Sequence, residues 1–251
     1  MNDNGVVFWR GPSPLDGAPI VAILTGIKRP SKNPKTGNQL QTWILREDIH
    51  PAEAKQSGAD FSICGDCAHR GTSCYVNIMG PTSIWRSYRA GNYREYTSLS
   101  SFIKKTLKWR SLRIGAYGDP ALLPFKVWEN LLQQKAKEIG YQGGKSWTGY
   151  THQWRTCDQR YRHILMASVD TRQEAMEAHG LGWRTFRVDH QEHGVLGPIP
   201  EQRCPASDEM GNKITCEACT LCQGTSHPSN NKSVVIVAHG TNKRKFQELV
   251  V

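Results

Sequence analysis

The chain has no apolar run long enough to cross a bilayer. Its longest, "PIVAIL" and "SVVIVA", fall far short of the roughly 20 residues that a spanning helix needs. The opening "MNDNGVVFWRGPSP" is polar and meets proline early, without the charged-then-apolar order of a secretory leader. No internal repeat or low-complexity segment stands out, which speaks against a solenoid. Together these absences predict a soluble, cytoplasmic protein with no membrane partner. Acidic residues are few: 22 Asp and Glu stand against 32 Lys and Arg, giving a net charge of +10 and a pI near 9.3. That balance favours an anionic partner, a nucleic acid or a phosphorylated substrate.

The chain has 251 residues, 38% of them hydrophobic, which is enough for a packed core. Eight cysteines are present, and in a reducing cytosol their close spacing points to metal ligands rather than disulfides.

Near the N-terminus, "PIVAILTGI" and "QLQTWILRE" are rich in strand formers. The basic, turn-forming "KRPSKNPKTGN" separates them. Residues 19–47 therefore read as a long-looped hairpin, whose Lys28, Arg29, Lys32 and Lys35 either hold a phosphate or solvate a loop tip. Further on, aromatic and basic residues interleave at Trp85, Arg86, Tyr88, Arg89, Tyr93, Arg94 and Tyr96. This pattern suits stacking on nucleic-acid bases. It suits still better an amphipathic helix that buries Ile84, Trp85 and Tyr88.

From residue 111 to 190 the rhythm becomes strand–helix–strand. "SLRIGAYGD", "KSWTGYTH", "ILMASVD" and "WRTFRVD" read as strands, and "SVVIVAHG" follows later as a fifth. "LLPFKVWENLLQQKAKEIG" and "TRQEAMEAHG" read as helices, the second capped by Thr171 or Asp170. Such alternation predicts one α/β domain over 1–251 with parallel strands, a complete or partial TIM-type (β/α) barrel. Its strand ends carry polar or small residues: Tyr117-Gly118-Asp119, Thr151-His152, Ser168-Val169-Asp170, Val188-Asp189 and His239-Gly240. In parallel folds that rim carries the chemistry. Lys145, Arg155 and Arg187 are placed to bind an anion there.

The C-terminal cysteine segment, 204–224, holds Cys204-Pro205 and then Cys216, Cys219 and Cys222 in "CEACTLC". Three ligands at x2, x2 spacing with a remote Cys-Pro suit a [4Fe-4S] cluster, although the Cys-Pro here precedes the triplet. Zinc is the alternative, and a mere cluster of buried thiols is a third reading. The first segment, 61–80, offers Cys64, Cys67 and Cys74 in "CGDCAHRGTSC", with no obvious fourth ligand. Four explanations stand open. The first is a three-cysteine catalytic cluster, and the second a cluster completed by Asp66, His69 or Cys157. The third is a zinc site using His69, and the fourth a single zinc shared between "CGDC" and "CTLC".

This order of motifs resembles the radical S-adenosylmethionine (SAM) enzymes, in which a three-cysteine cluster precedes a barrel of βα units. "YGDPALLP" resembles their GGEP turn, "WTGYTH" stands where their TNG strand would be, and "ASVDT" resembles their SLDG strand. The chain is also similar to an uncharacterised family of phage-encoded proteins. The first resemblance implies one or two [4Fe-4S] clusters, SAM as cofactor and a reducing partner such as flavodoxin or ferredoxin; the second implies a bacterial host cytoplasm. Cys64, Cys67 and Cys74 would hold the SAM-cleaving cluster, with Tyr117, Gly118 and Asp119 around the cofactor amine. Ser168 or Asp170 would meet its ribose or carboxylate. The sequence departs from the family pattern in spacing, C-x2-C-x6-C instead of C-x3-C-x2-C, and in having Asp119 for Glu. Two other classes compete: a non-SAM iron–sulfur electron carrier or binding protein, and a zinc-stabilised nucleic-acid-binding protein. The substrate is not legible.

Overall fold

The computed structural model describes residues 4–95, 110–139, 147–189, 199–207, 211, 213–226, 232–239 and 243–250. Ten strands form one sheet: β1 (Gly5–Pro12), β2 (Pro19–Thr25), β3 (Leu40–Arg46), β4 (Arg94–Glu95), β5 (Leu112–Tyr117), β6 (Trp147–Thr151), β7 (Met166–Val169), β8 (Thr185–Asp189), β9 (Glu201–Arg203) and β10 (Ser233–Val237). Their order across the sheet is β4-β1-β2-β3-β5-β6-β7-β8-β10-β9. β2 is antiparallel to both β1 and β3, and every other neighbouring pair is parallel. So β2 alone runs against the rest. The sheet is mostly parallel and is not closed into a barrel, with β4 and β9 at its two edges.

The helices are α1 (Pro51–Ser57), α2 (Phe61–Cys64), α3 (Met79–Arg89), α4 (Phe125–Ile139), α5 (Arg172–Gly180), α6 (Cys216–Cys219) and α7 (Lys243–Val250). None is long and apolar enough to cross a membrane. The hairpin expected over 19–47 is β2–β3, and β1 extends it into a meander. Thr171, and not Asp170, caps α5, its hydroxyl accepting the Glu174 N–H at 3.1 Å. This leaves Asp170 available to the rim.

Two apolar cores divide the interior. The larger joins β1–β3 and β5–β7 to Trp128 and Leu131 of α4 and Ala175 and Ala178 of α5. The smaller joins Met166, Val234, Ile236, Tyr150 and Phe186 to Cys204 and Cys222. Side chains alternate along a strand, so Met166 and Ser168 share one face of β7 while Ala167 and Val169 enter the larger core.

The aromatic–basic stretch folds as the amphipathic helix. Trp85 Nε1 donates to the Arg46 carbonyl, Tyr88 Oη donates to Glu47, and Arg89 and Arg10 lie over the Trp85 and Tyr88 rings. These rings are spent on packing and internal bonds. Tyr96 lies outside the described residues, as does Lys145.

Candidate functional site

The first cysteine segment lies over the C-terminal ends of β5, β6 and β7. Cys64 ends α2, and the backbone then turns at Gly65 (φ 58°, ψ −145°), a region that essentially only glycine occupies. The Asp119 N–H donates to the Ile63 carbonyl at 2.7 Å. Gln153 Nε2 donates to the Cys64 carbonyl at 3.2 Å. The loop closes on itself through Arg70 N–H to the Cys67 carbonyl (3.0 Å) and Cys74 N–H to the His69 carbonyl (2.9 Å).

Asp119 is 7% exposed, and both its oxygens are engaged. Oδ1 accepts from Ala121 N–H at 2.9 Å and Thr151 Oγ1 at 2.7 Å, while Oδ2 accepts from His152 N–H at 2.8 Å. Burial raises its pKa. The role of holding a cofactor amine, which the family resemblance gives this residue, finds its carboxylate already committed to shaping the rim. Gly118 (φ +77°) is glycine for a local reason: a Cβ there would lie 2.6 Å from the Ile44 carbonyl of β3. Tyr117 is buried in the larger core. Ser168 is buried on the face of β7 that carries Met166, in register with Phe186 of β8.

Asp170 meets the first segment. Its Oδ2 lies 2.8 Å from His69 Nε2, and His69 Nδ1 lies 2.6 Å from Ser73 Oγ. His152 joins them, its ring edge-on to that of His69 with centroids 5.8 Å apart. Burial lowers the His152 pKa, favouring the neutral ring. Asp170 Oδ1 is buried and has no hydrogen-bond partner among the described residues. Such an orphan acceptor costs about 1–3 kcal/mol. Sequence reasoning weighed His69 and Asp170 separately. No local signal joins residues 101 positions apart.

The second cysteine group sits against the smaller core. Cys204, Cys216, Cys219 and Cys222 line one cavity of about 90 Å³ with Lys35, Tyr150, Phe186 and His239. Backbone bonds fix the segment: Gly149 N–H to the Cys222 carbonyl (2.9 Å), Cys204 N–H to the Val235 carbonyl (2.8 Å) and Cys216 N–H to the Lys35 carbonyl (2.8 Å). The basic loop after β2 is thus a brace for α6, with Asn38 N–H donating to Glu217 Oε2 at 2.9 Å. Gly37 (φ +63°) lets the two pass, since a Cβ would lie 2.8 Å from that oxygen.

The seven clustered thiols fall into two sets. Cys64, Cys67 and Cys74 belong to the loop over the strand ends, and Cys204, Cys216, Cys219 and Cys222 surround the cavity against the smaller core. Neither cysteine of "CGDC" is among the residues lining that cavity. Strand β6 touches both sets, through Gln153 just past its end and through Gly149 within it. Burial pushes the Cys67 thiol up to about 12 and the Cys204 thiol up to about 11. Asp66 is exposed, and Cys157 packs against the larger core outside both sets.

Of the cations expected to bind an anion on the rim, Arg155 and Arg187 are paired. Arg155 forms ion pairs with Glu174 and Glu177. Arg187, 2% exposed in side chain, lies between Asp189 (2.6 Å) and Glu201 (3.0 Å). His239 Nδ1 lies 2.9 Å from the Val237 carbonyl. Comparison with protein-family models, curated proteins and solved structures finds no match to this chain.

Proposed function

We propose that the protein is an iron–sulfur protein with two separate clusters, one on Cys64, Cys67 and Cys74 at the rim and one on Cys204, Cys216, Cys219 and Cys222. The observation that carries this reading is the division of seven thiols into a set of three over the strand ends and a set of four against the smaller core. The raised pKa values of Cys64, Cys67, Cys204, Cys216, Cys219 and Cys222 argue against a free thiolate nucleophile, because a buried thiol stays protonated and inert until a cation claims it. A single zinc held at about 2.3 Å would draw its sulfurs to about 3.8 Å from one another. Among the described residues no three cysteine sulfurs lie within 4.8 Å of one another. A polynuclear cluster, whose thiolates bind separate irons, does not require that close approach.

The three-thiolate set leaves one iron of a cubane open, and a reduced cluster of that kind supplies the electron that cleaves bound SAM. In this reading the open sheet is a partial barrel, and the protein is a divergent radical SAM-type enzyme. The chain's own residues hold the cluster loop: Asp119 and Gln153 fix α2 and Cys64, and Gly65 permits the turn. The committed carboxylate of Asp119 favours a second reading, an electron-transfer or binding protein with the same two clusters and no SAM chemistry.

Anaerobic purification tests the common part. The protein is brown, with iron and acid-labile sulfide bound; a colourless protein with stoichiometric zinc overturns both iron–sulfur readings. Incubating the reduced protein with SAM then separates them, since only the enzyme releases 5′-deoxyadenosine. Continued absence of that product with the clusters intact selects the electron-transfer protein.

A further inference from the structure

We propose that His69, His152 and Asp170 form a mononuclear site for a first-row divalent cation of the Mn(II) or Fe(II) class, distinct from both thiolate sets. One nitrogen from each histidine and one Asp170 oxygen all lie within 4.8 Å of one another. The three side chains come from separate parts of the chain: the first cysteine loop, the residue after β6 and the residue after β7. Parallel strand ends converge in just this way on a shared centre.

Each donor is aimed by a neighbour. Ser73 Oγ lies 2.6 Å from His69 Nδ1, so the tautomer that donates from Nδ1 leaves the Nε2 lone pair for the cation. The His152 backbone N–H is tied to Asp119 Oδ2, and the Asp170 N–H donates to Glu174 Oε2 at 2.9 Å. Phe246 of α7 stacks on the His69 ring, with centroids 5.2 Å apart and planes 23° apart, covering one side of it. The edge-on arrangement of the two imidazoles lets their nitrogens converge where a stacked pair would not.

The decisive detail is Asp170. A plain His–Asp hydrogen bond uses Oδ2 and strands Oδ1, which is buried and unpartnered among the described residues. A divalent cation satisfies the carboxylate as a whole, and the single ring proton of neutral His69 then sits on Nδ1 facing Ser73 Oγ while Nε2 binds the cation. Two neutral imidazoles and one carboxylate leave one positive charge and open coordination positions, suited to an oxygen-bearing ligand. The nearby thiols do not compete for Mn(II), which prefers nitrogen and oxygen donors.

The test is a titration of the full chain with Mn(II), followed by the loss of the free-ion electron paramagnetic resonance signal after weakly held ions are removed with chelator. One Mn(II) binds per chain, and pulsed spectra show coupling to imidazole nitrogen. Asp170→Asn and His152→Gln each weaken binding at least tenfold, Ser73→Ala weakens it about tenfold, and Glu53→Gln, at an exposed carboxylate of α1, leaves it unchanged. Failure to bind Mn(II), absence of nitrogen coupling, equal binding by the folded Asp170→Asn and His152→Gln variants, or loss of binding in Glu53→Gln overturns the assignment. If a variant does not fold, the nitrogen coupling in the unaltered chain decides.

Discussion

Gln153 and Gly65 occupy one another's space: a Cβ on Gly65 would lie 2.4 Å from Gln153 Nε2, the atom that bonds the Cys64 carbonyl. The absence of a side chain in "CGDC" is therefore a packing requirement as well as a backbone one. Gly65→Ala incurs both the clash and the strained backbone, worth about 1–3 kcal/mol for the latter alone. Thermal unfolding and iron content both fall in that variant. Adding Gln153→Ala removes the clash and leaves the strain, so the double variant recovers part of the loss. Full recovery would show that the backbone conformation is unimportant.

Arg46 links the end of β3 to the helix that carries Cys64. Its Nη1 donates to the Ala59 carbonyl at 3.2 Å and to Ser62 Oγ at 3.0 Å, while Nε and Nη2 grip Asp48. The hydrogen bond from Arg46 lowers the Asp48 pKa. A carboxylate with a depressed folded-state pKa stabilises the fold above its unfolded pKa, and that contribution is lost as pH falls through the folded value. Asp48 is nearly half exposed, so the pair is worth at most about 1 kcal/mol. Asp48→Asn therefore flattens the acid side of the stability profile slightly, measured by denaturant unfolding from neutral pH downward. Arg46→Ala costs more, because it also frees α2. Equal losses in the two variants would contradict that ordering.

Arg187, Asp189 and Glu201 form a buried charge group in which Arg187 donates one hydrogen bond to Asp189 and two to Glu201. Arg187→Met leaves two carboxylates buried without their cation and costs about 3–5 kcal/mol. Replacing Asp189 and Glu201 by Asn and Gln in the same chain restores much of that loss. A single Arg187→Met variant as stable as the unaltered protein would mean that the carboxylates escape burial.

The βα alternation from residue 111 onward was legible because each segment carries its own period. "ILMASV" is short and apolar, "TRQEAMEAHG" opens with a capping threonine, and these local features decide local structure. The β2–β3 hairpin was legible for the same reason. β1 was not, since "GVVFWRGP" shows no clean alternation and breaks register between Val7 and Trp9. Closure of the sheet was not legible either, because edge pairing is a long-range property.

At the site, the cysteine spacings mark two segments, one of which lies over the strand ends and the other against the smaller core. The polar strand ends did not reveal their partners. Asp119 and Asp170 look alike in sequence, yet one is saturated by Thr151, Ala121 and His152 while the other keeps a bare oxygen. Arg187 was read as a rim cation and is an internal counter-ion, because Glu201 lies beyond β8 in sequence and meets it only across the sheet. Likewise, nothing local in "NKRKFQELV" announces that Phe246 covers His69.

The two proposed iron sites are independent of one another. Iron and acid-labile sulfide, measured per chain in anaerobically prepared Cys67→Ser and Cys219→Ser, test this most directly. Each variant is expected to lose one cluster's share and retain the other, with the two losses summing to the total in the unaltered protein. Loss of all iron from either single substitution, or no iron in the unaltered chain, would contradict it.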